Sequence, residues 1–385
     1  MKNKKIGVCA CYNTKNYGSM LQTLATGVQL ERLGYEYEFI RYSRKLTLGL
    51  LLKSLSRIPE KLKEKKQRQV RLDGYNKYPG LKEKVVSRNK CFDDFMNKTF
   101  VKISPVCDTY SQVKNQASVY DAVLVGSDQL WRPEGYSTGF YNLMFVPEYV
   151  HKIAYATSFG VSNIPNNKKG IAKKFLNRIE DISVRELRAS EIIEELTGRK
   201  VPTVVDPTLL FTGDEWKEII PQKNVVPEGE KYVFCYLLGT NIAHRKAAEE
   251  LREATGCKIV TIPHLDEFVE GDISFGDMQL FDVGPAEFVN LIRNAEYVCT
   301  DSFHGTVFSI LNHKQFVTFS RFSDDSKQSR NSRIESLFEQ TGLNDRHCTT
   351  NILETMNRYI DYVSVEEKLT EMRRKSVEYL SNALK

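Results

Sequence analysis

The chain has 385 residues, 41% hydrophobic and 27% charged, with a formal net charge of +6. That length suits two domains of roughly 100–200 residues each, and the balance excludes a disordered, fibrous or disulfide-stapled chain. No stretch reaches the ~20 apolar residues of a membrane span; the nearest, "LTLGLLLKSL" at 46–55, is half as long.

"MKNKKIGVCACYNT" opens the chain, and its apolar run is too short for a secretory signal core. "KKIGVCACY" (4–12) reads as a first strand. A loop follows at 13–19, then a helix over 20–34, with Leu21, Leu24, Val28 and Leu33 at helical spacing and Gly34 as its stop. "YEYEFIRY" (35–42) is a second strand, so this strand–loop–helix–strand unit seeds a parallel α/β sheet. Between Arg41 and Lys90 stand sixteen Lys/Arg against four Asp/Glu. The segment at about 43–100 reads as a basic helical insertion. It is either a solvated face or, through its Leu clusters among Lys/Arg runs, a patch for an anionic surface. Nucleic acid is not expected, because no aromatic–basic interleaving or helix-turn-helix pattern accompanies the charge.

"YDAVLVGSDQLW" (120–131) and "HKIAYATSFG" (151–160) read as buried strands ending in polar loops. "KKFLNRIEDISVRE" (173–186) gives a helix and a short strand, "SEIIEELTG" (190–198) a helix, and "VPTVVDPTLLF" (201–211) a strand broken by Pro207. The polar, Pro-rich "PQKNVVPEGEK" (221–231) marks a domain boundary. A second series follows: strand 232–239, helix 244–256, strand 258–264, helix 284–295 with Pro285 in its first turn, then "EYVCTDSFHGTVFSILNHKQFVTFS" as strand–turn–helix–strand. Helices close the chain. The expected division is 1–220, 221–350 and 351–385.

Two consecutive α/β sheets imply a cleft, with ligands outside the carboxyl ends of the strands. The polar loops fall at such ends: 12–19, 126–132, 157–162, 185–188, 206–208, 239–244 and 300–306. "CTDSFHGT" (299–306) carries a strand into a helix, so its backbone N–H groups suit an anion. Ser302 either caps that helix or binds the anion. Gly305 permits close backbone approach, and His304 offers a proton or a positive charge. In "GSDQLW", Asp128 either bonds or deprotonates a sugar hydroxyl or caps a turn. Gln129 is its polar neighbour, and Trp131 is either core or a platform for a sugar face. Asn16, Tyr17 and Ser19 suit a neutral polyol, or serve only the turn. The loop lacks GxGxxG spacing, so a dinucleotide fingerprint is not supported. Arg185 ends a strand and suits a carboxylate or phosphate. Arg330 and Arg333 precede a helix and reach an anion, unless they are surface ion pairs.

The eight cysteines scatter without paired CxxC motifs, so neither a zinc site nor a disulfide framework is indicated. A cytoplasmic chain with reduced thiols is expected. There is no HExxH, Walker lysine loop, nucleophile elbow or DxD motif clearly set for a metal-held sugar nucleotide. Cations, a His and polyol-friendly loops around one cleft suggest transfer from a small anionic donor to a sugar.

Taken together, "NYGSMLQTLA" (16–25), "YDAVLVGSDQLW" (120–131), "KIAYATSFG" (152–160), "ISVRE" (182–186), "VVDPTLLF" (204–211) and "GPAEFVNLIRNAEYVCTDSFHGTVFSI" (284–310) resemble the polysaccharide pyruvyl transferase family. The pieces run in the family's order and span nearly the whole chain. The resemblance implies an α/β fold of two Rossmann-like domains facing across a cleft, similar to the glycosyltransferase-B fold. The first domain is then the acceptor side, the second the donor side, and the final helices pack back toward the first. It also implies that phosphoenolpyruvate, as co-substrate and with no cofactor or metal, donates its carboxyvinyl unit to two sugar hydroxyls as a cyclic ketal, releasing phosphate. Arg185 and His304 match the family's donor-binding residues, with Ser302, Gly305 and Arg333 beside them. Asp128 and His304 are the expected catalytic pair, and Asn16, Tyr17, Ser19, Gln129 and Trp131 the acceptor side. A lipid-linked acceptor would place the enzyme at the inner membrane face through the basic insertion. The alternatives are a nucleotide-sugar glycosyltransferase of the same fold and a non-catalytic glycan-binding module.

Overall fold

The computed structural model describes residues 4–43, 58–265, 268–321, 332–348 and 351–385, and only the backbone of 58–64, 67, 68 and 332. The Leu-rich 46–55 and Arg330 lie outside the described residues.

The first sheet is built from β1 (Lys5–Cys9), β2 (Glu36–Phe39), β3 (Ala122–Asp128), β4 (His151–Thr157) and β5 (Asp181–Val184), ordered β2-β1-β3-β4-β5. Every pairing is parallel. Ala122–Ser127 is buried throughout, as a parallel strand covered on both faces must be. The second sheet holds β6 (Tyr232–Tyr236), β7 (Lys258–Thr261), β8 (Met278–Gln279), β9 (Tyr297–Thr300), β10 (Gln315–Phe319) and β11 (His347–Cys348). Its order is β11-β10-β9-β6-β7-β8, again parallel. The chain changes direction of growth between β1 and β3 in one sheet and between β6 and β9 in the other.

One expectation fails. Residues 201–211 do not form a strand: Thr203 makes a single bridge to Val184, and Pro207–Leu210 is a 3-10 turn. The run is apolar because it is core, not because it pairs: Val204, Val205, Leu209, Leu210 and Phe211 are all buried in the main cluster.

The two halves share that cluster. Helix Tyr17–Arg32 packs on helix Pro285–Asn294 of the second half, and Tyr17 is the plug between them. Its ring stacks on Phe288 at 4.7 Å and 10°, and its hydroxyl donates to Val283 O at 3.0 Å. The basic insertion forms helices Ile58–Lys77 and Leu81–Thr99. This pair rests on the second half, with Tyr75 and Leu81 against Leu265 and Phe268, and Lys77 paired to Glu270 at 2.6 Å. Of the closing helices, Ile352–Asn357 stays on the second sheet, whereas Tyr362–Leu384 crosses to the first. There Arg373 Nε donates to Leu209 O at 2.9 Å, and Ser376 Oγ accepts Val205 N at 3.0 Å.

Candidate active site

The carboxyl ends of β1, β3, β6 and β9 converge on a cavity of about 270 Å³ between the halves. Both places where the sheets reverse their direction of growth therefore open into one space, the position at which open α/β sheets hold ligands. Asn16, Gly18, Asp128, Gln129 and Arg132 line it from the first half. Tyr236, Leu238, Asp301, Ser302, Phe303, His304, Arg321 and Arg333 line it from the second.

Asp128 ends β3 with φ 73°. A Cβ on Gly126, two residues earlier, would lie 2.0 Å from Tyr155 O, so only glycine permits this approach. The Asp128 carboxylate is already engaged. Ser19 Oγ donates to Oδ2 at 2.5 Å, and Arg185 Nη2 donates to Oδ1 at 3.2 Å. Burial disfavours its charge, but Arg185, His304, Ser19 and Arg333 outweigh that and lower its pKa to about 2.

Arg185 does not line the cavity. Its side chain is 1% exposed and sits one layer behind the wall. Nη1 donates to Asp206 Oδ2 at 2.6 Å, and the guanidinium covers the Phe303 ring at 4.8 Å. Burial opposes the charge on Arg185, while Asp206, Asp128 and Glu186 raise its pKa. The expectation of a solvent-facing anion clamp is thus replaced by a buried charge that organises three carboxylates. A buried arginine needs such partners, and they engage its two Nη groups.

On the second half, the helix begins directly after Ser302 and runs Phe303–Leu311. Ser302 Oγ accepts Gly305 N at 3.3 Å, so it caps the helix. Gly305 is needed for packing rather than for a ligand, since a Cβ there would lie 2.4 Å from Thr300 Oγ1. The glycine that lets backbone approach chemistry is Gly18: a Cβ there would stand 1.9 Å from His304 Nδ1. His304 Nε2 is buried without a hydrogen-bond partner among the described residues and faces Asp206 Oδ1 at 3.7 Å. Asp301 accepts Leu238 N and Gly239 N, each at 2.7 Å, and so ties the ends of β6 and β9 together. Burial raises its pKa.

The remaining expected residues divide. Asn16 lines the cavity and caps its helix by accepting Ser19 N at 3.0 Å. Gln129, its amide oriented by its neighbours, accepts Arg333 Nη1 and Nη2 at 3.0 and 2.9 Å across the cleft. Tyr17 is 1% exposed and occupied with Phe288, so it offers a ligand nothing. Trp131 is fully buried against Phe159 and Phe175, with Nε1 donating to Tyr141 O at 3.0 Å. Its ring is core and not a sugar platform. Asp206, Arg132 and Arg321 were not singled out from sequence, and Gly18 reads there only as the turn into the first helix. For Asp206 a signal existed: a lone carboxylate inside "VPTVVDPTLLF" must be buried and therefore partnered.

Three arginines, a histidine and a helix N-terminus thus border one small polar space, with Asp128 on its opposite wall. Such a set suits a compact ligand carrying more than one negative charge. A family model described as polysaccharide pyruvyl transferase matches residues 16–323. No curated protein matched the chain. Among solved structures, a putative UDP-N-acetylglucosamine 2-epimerase from Listeria monocytogenes aligns at TM-score 0.52 and 13% identity, covering 97% of this chain and 91% of that one. The UDP-GlcNAc 2-epimerase of Methanocaldococcus jannaschii aligns at 0.50 and 11%, covering 95% and 91%. An alpha-glucosyltransferase in complex with UDP and DNA aligns at 0.50 and 8%, covering 99% and 95%. The two-sheet arrangement is that of the glycosyltransferase-B fold, as the resemblance in sequence implied.

Proposed function

The chain belongs to the polysaccharide pyruvyl transferase family, and on that premise we propose that it transfers the carboxyvinyl unit of phosphoenolpyruvate to two hydroxyls of a glycan. One observation carries the reading: His304, Arg321 and Arg333 meet the N-terminus of helix Phe303–Leu311 in a single cavity of about 270 Å³. Phosphoenolpyruvate carries a phosphate and a carboxylate, and this is a site with donors for both. A proton added to the donor's methylene carbon makes its C2 electrophilic. One sugar hydroxyl bonds to C2 and releases its proton, which replaces the one added to the methylene carbon. The second hydroxyl then bonds to C2 and gives its proton to the leaving phosphate as the C2–O bond to phosphate breaks, so one phosphate leaves for each ketal formed. His304 binds the donor and holds a proton. Asp128, with its pKa near 2, is a weak base; it orients the acceptor hydroxyl as a hydrogen-bond acceptor and does not store its proton.

The test is incubation with phosphoenolpyruvate and candidate glycans, following phosphate and the mass of the acceptor. Phosphate release matched by acceptor mass gain is expected. Phosphate release without that gain, or turnover of a nucleotide sugar in its place, overturns the reading. No helix among the described residues is long and apolar enough to cross a membrane. The exposed Val70 and Leu72 among Lys65, Lys66 and Arg71 support peripheral contact with an anionic surface. Co-sedimentation with anionic vesicles at low and high salt checks it.

A further inference from the structure

We propose that Asp206 is the positioning residue for His304, supplied across the seam by the other half of the molecule. The use made of the imidazole rests on the pyruvyl-transfer reading; the placement of Asp206 does not.

Asp206 lies in the apolar turn after Val205, and its side chain is fully buried. Its carboxylate is fixed from several sides. Oδ1 accepts Thr208 N at 3.0 Å and Thr208 Oγ1 at 2.7 Å. Oδ2 accepts Arg185 Nη1 at 2.6 Å, with Ser127 Oγ 3.2 Å away. Burial opposes its ionisation, but His304, Arg185 and Thr208 overcome that and hold the carboxyl below the usual range. The group is therefore a fixed anion that neither turns nor takes up a proton near neutrality.

That anion faces His304 Nε2 at 3.7 Å, and Nε2 has no other partner among the described residues. The opposite constraint comes from Gly18, whose missing side chain is what leaves room for the ring at Nδ1. The imidazole is thus held between a carboxylate and bare backbone, both contributed by the first half. Bringing this contact to hydrogen-bond reach needs a shift of roughly 0.5–1 Å. Asp128 from β3 also interacts electrostatically with the ring, and Arg185 and Arg333 both approach the neighbouring Phe303.

Three consequences follow. The neutral ring carries its proton on Nε2, directed at Asp206. Nδ1, next to the cavity-lining Gly18, is the atom that meets the donor. The protonated ring is stabilised by an anion that stays ionised throughout, so Asp206 orients and compensates without exchanging a proton itself.

The experiment uses the full chain with 15N-labelled histidine and reads the ring-nitrogen shifts of His304 at a pH where the ring is neutral, assigned with His304→Gln. The Nε2–H tautomer is expected in the wild type. The Nδ1–H tautomer overturns the proposal, whether or not any variant folds. In Asp206→Asn the tautomer mixture is expected to change. With phosphoenolpyruvate, kcat should fall roughly 100-fold while KM moves far less. An unchanged tautomer with unchanged kcat in a folded Asp206→Asn protein also overturns it. If the wild type shows Nε2–H yet never turns over phosphoenolpyruvate, the functional reading fails and the placement of Asp206 stands.

Discussion

At the scale of single residues, the site depends on two that have little chemistry of their own to advertise. Gly18 has no side chain, and the imidazole occupies the space one would fill. Gly18→Ala should therefore displace His304 and lower turnover by at least about tenfold with little change in Tm; activity retained with an alanine there would refute the packing argument. Asp128 gives a pH dependence with a definite sign. Its pKa is lowered from 3.8 to about 2, so it stabilises the fold above pH 4, and that contribution disappears as pH falls toward 2. The loss amounts to about 2 kcal/mol. Denaturation at pH 6 and pH 2 should show a smaller acid destabilisation in Asp128→Asn than in the wild type, and equal slopes would contradict it. Both residues show where sequence reading stops. Asp128 was recognisable as a polar group at a strand end, but not that Ser19 and Arg185 already hold it. Gly18 looked like turn chemistry, because its partner lies 286 positions away. Arg185 was misjudged for the same reason: a strand-end arginine reads as exposed until Asp206 and Asp128 are found around it.

At the scale of elements, strands and helices with local signals were legible. β1, β3, β4, β6 and β9 follow directly from short apolar runs that end in polar residues. The two-residue strands β8 and β11 carry no such signal, since their pairing is set by neighbours in the sheet rather than by their own pattern. Residues 201–211 were misread because an apolar run shows burial without showing which element it is buried against. The basic insertion was legible as helices but not as a brace. Leu81, at the start of the second helix, packs with Tyr75 and Leu265. Leu81→Ala should cost about 2 kcal/mol or more locally and release the helix pair from the second half. Faster hydrogen exchange across 69–90, with the β-strands unaffected, is the expected signature; unchanged exchange would show that the brace is held elsewhere.

At the scale of the whole molecule, two parallel sheets meet with their reversal points toward a single cavity, and the hydrophobic core runs unbroken from one half into the other. The final helix Tyr362–Leu384 crosses back and buries Leu369, Leu380 and Leu384 in that same core. That both halves exist was legible in the alternation of strands and helices. How they dock was not, since no local pattern encodes the meeting of Tyr17 with Phe288 or of Gly18 with His304. That docking acts as an interlock. The imidazole belongs to one half, while its carboxylate and its backbone rest belong to the other. The seam is therefore part of the site itself: a substitution that loosens the packing of Tyr17 on Phe288 would part the imidazole from both of its supports at once without touching either.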